Sequence, residues 1–86
     1  MLRALTHQDF KKDYRKQRSA IHDAFSTRLL LFLKNPANQL LRDHSLTGNL
    51  RGKRAFSISG DVRVVYRYID KNTVILLRIG GHNQVY

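Results

Sequence analysis

The pattern of hydrophobic positions changes once along the chain, from a helical spacing in the first half to alternation in the second. In the first half, two amphipathic segments predict helices over residues 7–17 and 20–35. Thr6 and Ser19 have the side chains of helix N-caps, and Pro36 is expected to end the second helix. The apolar stripe of these helices consists of Phe10, Tyr14, Ile21, Phe25, Leu29 and Phe32.

The alternation in the second half predicts three strands, over residues 54–59, 62–69 and 73–79. Turn-forming residues separate them at Gly60-Asp61 and at Lys71-Asn72, so the strands are expected to form an antiparallel meander. A short N-terminal strand precedes the helices. The sequence therefore predicts an α+β fold in one domain, residues 1–86, with two helices packed on one face of the meander sheet.

Alternation also assigns the strand residues to the two faces of the sheet. One face of the middle strand carries Val62, Val64, Tyr66 and Tyr68, and the other carries Asp61, Arg63, Val65 and Arg67. In the last strand, Ile75, Leu77 and Ile79 are expected in the core, with Val74, Leu76 and Arg78 opposite. Because two helices cover only one face, Val65 and Leu76 would then be exposed among arginines. We interpret that face as a binding groove rather than as ordinary solvated surface.

The charge of the chain narrows the class of partner. Sixteen Lys and Arg against six acidic residues give a formal net charge of +10, and arginine outnumbers lysine. This excess favours a polyanion, either nucleic acid or an acidic protein, over a membrane. The chain has no cysteine and no apolar run of membrane length, so we expect a soluble, cytoplasmic protein.

The histidines are the best candidates for chemistry. RNA cleavage without a metal needs a base, an acid and a cation that stabilises the charged phosphorane, and histidine and arginine suit these roles. His44 and His82 flank the predicted sheet, whereas His7 and His22 are interpreted as solvated helix residues. The few carboxylates have no spacing suited to Mg²⁺, so neither a metal nor another cofactor is expected.

The topology of a meander brings one group of polar residues together. The end of its first strand, the start of its second and the end of its third meet at one edge, where we expect Ser57, Asp61, Arg63 and His82. His44 reaches this group only if residues 45–50 fold back over the sheet.

Several basic and aromatic residues are candidates for contacts with RNA. The run Arg51-Gly52-Lys53-Arg54 leads into the first meander strand and predicts phosphate contacts, together with Arg67 and Arg78. A solvated charged surface is the alternative for this run. Asp61 either completes a hairpin turn, or it orients a histidine or binds the edge of a base. Tyr86 either anchors the C-terminus or provides a surface on which a base stacks.

Three blocks of the chain resemble the RelE/ParE superfamily of bacterial and archaeal toxins, and most closely its YafQ-like branch. They are Asp43-His44-Ser45-Leu46-Thr47-Gly48-Asn49-Leu50-Arg51-Gly52, Ile58-Ser59-Gly60-Asp61-Val62-Arg63-Val64-Val65-Tyr66 and Leu77-Arg78-Ile79-Gly80-Gly81-His82-Asn83-Gln84-Val85-Tyr86. The resemblance spans essentially the whole chain and implies the RelE-like fold. It also implies a type II toxin that cleaves mRNA in the ribosomal A site, contacts the rRNA there and is inhibited by a cognate acidic antitoxin.

The resemblance further implies roles for individual residues. His44 and His82 match YafQ-type catalytic histidines, and His82 is assigned as the base. Asp61 matches the catalytic acidic position, Arg63 the phosphate-stabilising arginine and Tyr86 a C-terminal tyrosine near the scissile bond. The expected products are a 2′,3′-cyclic phosphate and a 5′-hydroxyl.

The first meander strand departs from the YafQ-like pattern. Ala55 and Ser57 stand where relatives can have aspartate and histidine. Either His44 and His82 suffice together with Arg63, or activity is weaker or differently divided. Two rival functions are a ParE-like gyrase inhibitor, which would not need the histidines, and a non-catalytic module that binds RNA or the ribosome.

Overall fold

The computed structural model describes all residues, 1–86, and has one mixed sheet with the strand order β1-β5-β4-β3-β2. The strands are β1 (Arg3–Thr6), β2 (His44–Ser45), β3 (Arg54–Ser59), β4 (Val62–Asp70) and β5 (Thr73–Gly81). The helices are α1 (Gln8–Arg15), α2 (Ser19–Lys34) and α3 (His82–Val85), with 3₁₀ turns at Gln39–Leu41 and Gly48–Leu50. Strands β3, β4 and β5 form the predicted antiparallel meander, and β1 pairs in parallel with β5. The predicted α+β fold is confirmed.

Helices α1 and α2 pack on one face of the sheet and form the main core with it. Their apolar stripe brings Phe32 against two strand residues, at ring-centroid distances of 4.3 Å to Phe56 and 4.8 Å to Tyr66. All three rings are fully buried. Phe10 and Phe25 extend this core toward α1, with their ring centroids 5.5 Å apart.

The helix starts differ in detail from the sequence prediction. The N-cap of α1 is His7 rather than Thr6, because His7 Nδ1 accepts the backbone N–H of Asp9 at 3.0 Å. Helix α2 begins at Ser19 with no side-chain cap. His22 is not simply solvated either. It stacks on the ring of Tyr14 at 4.1 Å and donates from Nε2 to the Tyr14 carbonyl oxygen at 2.7 Å, which braces the two helices.

The prediction of the core face of β5 is wrong for most of the strand. Val65 pairs with Arg78 and Tyr66 with Leu76, so Leu77 is an extra residue that forms a β-bulge. The extra residue reverses the alternation, because the consecutive residues Leu77 and Arg78 both lie on the face of Val65. Val74 and Leu76 are therefore in the main core together with Ile79, whereas Ile75 and Leu77 are not.

The sheet face away from α1 and α2, called here the far face, carries a second and smaller apolar cluster. Ala55, Val65 and Val85 are buried there, and Leu46 and Leu77 pack against them. The prediction of exposed Val65 and Leu76 is therefore wrong: α3 and Leu46 cover Val65, and Leu76 lies under α1. No helix of this fold combines the length and the apolar character needed to cross a membrane.

Candidate active site

The β3–β4 hairpin and the end of β5 bring three of the predicted site residues together. Gly60 has φ +52°, a left-handed conformation that glycine adopts readily, and with Asp61 it forms the two-residue turn between the strands. In the ladder of β4 and β5, Arg63 lies opposite Gly80. The start of α3, at His82, therefore lies next to the hairpin turn.

Asp61 and Gln84 hold the backbone from which His82 projects. Asp61 Oδ2 accepts the backbone N–H of His82 at 3.2 Å, and Gln84 Oε1 accepts the N–H of Gly81 at 2.9 Å. Both acceptors lie where a side chain at the preceding glycines would be. A Cβ at Gly80 would lie 2.5 Å from Gln84 Oε1, and one at Gly81 3.0 Å from Asp61 Oδ2. The Gly-Gly pair thus provides space for these contacts, which is a use of the pair that the sequence pattern did not reveal.

Tyr86 packs against His82 at the C-terminal end of α3. The two ring centroids are 4.3 Å apart at an interplanar angle of 69°. Burial raises the pKa of the Tyr86 hydroxyl, and the charge of Arg63 lowers it by less. Four of the five predicted catalytic residues, Asp61, Arg63, His82 and Tyr86, therefore lie at one end of the meander.

His44 lies on the far face too, at the edge of the sheet formed by β2. It belongs to β2, a two-residue edge strand, and so lies within the sheet rather than flanking it as predicted; it pairs with Ala55 of β3. In antiparallel ladders, directly opposite residues share a face, so His44 is on the same face as Val65 and Arg63. At a spacing of about 4.8 Å per strand, β2 and β4 are about 10 Å apart. Arg63 of β4 thus lies between β3, whose outer neighbour β2 carries His44, and β5, which leads into His82.

The two positions at which the sequence departs from the YafQ-like pattern have different surroundings. Ala55 is fully buried in the far-face cluster, in contact with Val65 and Val85. Ser57 is only partly buried and lies directly opposite Arg63. A polar side chain therefore has room at position 57 but not at position 55.

Three of the predicted phosphate ligands line one open groove on the far face, called here the basic groove. Lys53, Arg67 and Arg78 surround it, and its volume is about 400 Å³. The remaining lining residues are His7, Asp9, Leu50, Val65, Leu77 and Val85. The groove runs beside the C-terminal helix, so a chain of phosphates in it would pass close to the cluster around His82.

The other two predicted phosphate ligands lie outside the basic groove. Arg51 is exposed and follows the 3₁₀ turn Gly48–Leu50. Arg54 lies on the opposite side of the sheet, where its Nε donates to Asp43 Oδ1 at 3.1 Å. Burial would lower the pKa of the Arg54 guanidinium, but hydrogen bonds and charges from Tyr66 and Asp43 raise it overall. The chain has no group of three His, Asp or Glu side chains arranged to hold a metal ion.

Comparisons with known proteins bear on the family and the fold of the chain. The family described as "Bacterial toxin of type II toxin-antitoxin system, YafQ" matches residues 2–86. The structure is similar to YafQ from E. coli strain BL21(DE3), with a TM-score of 0.83 and 17% identity over 100% of this chain and 99% of that one. A search of curated protein sequences gave no significant match.

Two further solved structures have the same fold over the full length. A conserved hypothetical protein from Helicobacter pylori is 30% identical over 100% of both chains, with a TM-score of 0.67. A chain of the E. coli DinJ–YafQ complex is 19% identical over 100% of this chain and 99% of that one, with a TM-score of 0.70. The matched family covers nearly the whole sequence, and the chain therefore belongs to the YafQ family of bacterial toxins of type II toxin-antitoxin systems.

Proposed function

We propose that this toxin is a ribosome-dependent mRNA endonuclease that cleaves by acid–base chemistry without a metal. The observation that supports this most directly is that Arg63 shares its sheet face with His44 of β2, while the strand on its other side, β5, leads directly into His82. Cleavage of this kind needs a base for the 2′-hydroxyl, an acid for the leaving 5′-oxygen and a cation for the phosphorane. The products are a 2′,3′-cyclic phosphate and a 5′-hydroxyl, and the site of action is the cytoplasmic ribosome.

In this proposal each residue of the cluster has a defined role. His44 and His82 transfer the two protons, and Arg63 stabilises the negative charge that develops on the phosphate. Asp61 acts through the backbone N–H of His82 and fixes the position of the imidazole. Tyr86, which is 37% exposed, provides a ring on which a base can stack beside His82. Ala55 and Ser57 leave two positions of the family pattern without a proton-transfer group, so the two histidines and Arg63 carry the reaction.

The basic groove is the proposed path for the RNA backbone. Lys53 and Arg67 supply the positive charge of this groove, and phosphate contacts of this kind position a nucleic acid without reading its bases. Arg78 also lines the groove, but its guanidinium is paired with Asp13, so a phosphate would share it with that carboxylate. Arg51 is exposed near the same end of β3 and is assigned to the rRNA.

The proposed protein partner is a cognate acidic antitoxin. A similar toxin, YafQ of E. coli, is known in complex with DinJ. In this chain an apolar groove of about 380 Å³ opens between β1, α1 and α2, where Phe10, Phe25 and Leu29 line its base. Lys11 and Arg15 also line this groove. An amphipathic segment with acidic residues beside an apolar stripe fits both its apolar base and its charge.

The test is induced expression without an antitoxin, followed by mapping of mRNA 5′ ends on ribosomes. We expect new 5′-hydroxyl ends within codons at the A site, and the loss of these ends in His44→Ala and His82→Ala. Lys71→Ala is the control, since Lys71 lies in the exposed β4–β5 turn. Growth arrest with intact mRNA and blocked DNA supercoiling would contradict the nuclease and support a gyrase inhibitor. Growth arrest that persists in both histidine variants would contradict the acid–base mechanism.

A further inference from the structure

The backbone that leads into His44 is held in a conformation that side-chain-bearing residues rarely adopt. Leu41 is fully buried in the main core, and the next residue, Arg42, has φ +50°. Arg42 is the only residue other than glycine with a positive φ in this chain. A left-handed conformation at such a residue persists only where its surroundings hold it. Contacts of the neighbouring residues must therefore hold Arg42 in this conformation.

The side chain of Asp43 attaches the segment to the centre of the protein. Tyr66 donates its hydroxyl hydrogen to Asp43 Oδ2 at 2.5 Å, and Arg54 Nε donates to Oδ1 at 3.1 Å. Tyr66 is fully buried, and the side chain of Asp43 is only 9% exposed. Burial and the hydrogen bond to Asp43 raise the pKa of Tyr66, so its hydroxyl stays protonated and remains a donor. Asp43, Arg54 and Tyr66 are called here the positioning cluster.

The backbone carbonyl of Arg42, which precedes Asp43 in the chain, orients the imidazole of His44. His44 Nδ1 lies 2.9 Å from the carbonyl oxygen of Arg42. A carbonyl oxygen can only accept, so Nδ1 carries the hydrogen of this bond. In neutral His44 the other nitrogen, Nε2, is then left with a free electron pair. The backbone turn at Arg42 directs the carbonyl toward the ring, and Asp43 lies between the two residues in the chain.

We propose that the positioning cluster holds the Arg42 carbonyl against His44 and thereby fixes the Nδ1–H tautomer. This inference rests on the proposed nuclease function, which it deepens by naming the atom that reacts. His44 enters the reaction with Nε2 able to accept the proton of the 2′-hydroxyl, so that the base is His44 and the acid His82, which reverses the assignment made from the sequence. Tyr66, Asp43 and Arg54 do not touch the substrate in this scheme. They are positioning residues, and Arg54 contributes to cleavage through Asp43 rather than through phosphate.

The variant Tyr66→Phe tests this inference with little disturbance of the core. It removes one hydroxyl and keeps the ring that packs on Phe32 and Phe56. Tyr68→Phe is the matched control, because Tyr68 lies beside Tyr66 at 5.9 Å and its hydroxyl makes no bond to Asp43. Two readouts are used on the full chain: the ¹⁵N shifts of the His44 ring nitrogens by NMR, and single-turnover cleavage on mRNA-programmed ribosomes.

In the parent and in Tyr68→Phe we expect a protonated-type Nδ1 and an unprotonated-type Nε2. In Tyr66→Phe we expect mixed tautomers and cleavage about tenfold slower at saturating toxin, since loss of orientation reduces rate more than binding. Unchanged His44 shifts in Tyr66→Phe would overturn the inference, whatever the cleavage rate. A shifted tautomer with unchanged cleavage would overturn its link to the reaction. If the parent does not cleave RNA at all, the proposed function fails, and the shifts still decide whether the cluster sets the tautomer.

Discussion

The ion pair between Asp13 and Arg78 joins α1 to the outer edge of β5, and Asp13→Asn tests its contribution to stability. Strand β1 ends at Thr6, opposite Leu76, so it leaves the next part of β5 without a neighbouring strand. Beyond Leu76, the side chain of Asp13 accepts a backbone hydrogen bond of β5 that a neighbouring strand would otherwise accept. Its Oδ2 accepts from Arg78 Nε at 2.6 Å and from the backbone N–H of Ile79 at 3.1 Å, and its Oδ1 accepts from Arg78 Nη2 at 3.2 Å.

The expected loss in the free energy of unfolding is moderate. Hydrogen bonds to charged groups contribute about 1.5–3 kcal/mol when they are shielded from water. The Arg78 side chain is 41% exposed, so solvent screens its part of the interaction. Asparagine can still accept the N–H of Ile79 through its amide oxygen. We therefore expect a loss of about 1–2 kcal/mol, which lowers Tm by roughly 4–16 °C for a domain of this size.

The pH dependence of this loss has a definite sign. Burial is the largest influence on the pKa of Asp13 and raises it, but the hydrogen bonds from Arg78 and Ile79 and the nearby positive charges lower it overall. A carboxylate with a lowered pKa stabilises the fold above its unfolded pKa of about 3.9. That stabilisation is lost as the pH falls from there through the lower folded pKa. The difference between the parent and Asp13→Asn should shrink over this acidic range.

Urea unfolding followed by circular dichroism at neutral and at acidic pH measures the difference directly. Asp23→Asn is the control, because Asp23 is an exposed helical aspartate without an ion pair and undergoes the same change in charge. If Asp13→Asn is no less stable than Asp23→Asn at neutral pH, the interaction does not stabilise the fold. A difference that stays constant down to the acidic end would refute the assignment to the ionised carboxylate.

Two further predictions concern α3 and the family positions on β3. Gly80→Ala and Gln84→Ala should each lower the free energy of unfolding by about 1 kcal/mol, because each removes the hydrogen bond from the Gly81 N–H to Gln84 Oε1. The double variant should lose no more than either single variant, and additive losses in urea unfolding would contradict this. Ser57→His should increase the rate of cleavage on mRNA-programmed ribosomes, since it adds a proton-transfer group opposite Arg63. Ala55→Asp should lower Tm, because it buries a charge. If the two changes have equal effects on Tm, the surroundings of the two positions do not differ as described.

The sequence predicted the helices and the meander because hydrophobic periodicity determines which surfaces can be buried. It did not predict the bulge at Leu77. One extra residue in a strand leaves composition and turn signals unchanged, yet it reverses the faces of Val74 and Leu76. The four-residue helix α3 was also missed, because a helix of that length is stabilised by its tertiary contacts rather than by its own sequence.

The candidate site was predictable where it depends on connectivity. A tight turn at Gly60-Asp61 and a strand that ends at Gly81 are sufficient to bring His82 beside the hairpin. The contacts that orient the histidines were not predictable, since they join side chains far apart in the chain. Tyr66 and Asp43 are separated by 23 positions. Nothing in the strand pattern around Tyr66 indicates that its hydroxyl will bind the carboxylate of the residue that precedes His44.

The burial of Ala55 under Val85 has a consequence for how variants of this protein should be interpreted. Val85 and His82 belong to the same turn of α3, so the height at which Val85 rests on the sheet also sets the height of the imidazole. Residue 55 thus acts as a spacer for the site, although it carries no functional group. The methyl group of Ala55 allows the helix to lie close to the sheet. Any larger residue at that position would tilt His82 away from Arg63, and an assay of activity would report the change in size as if it were a change in chemistry.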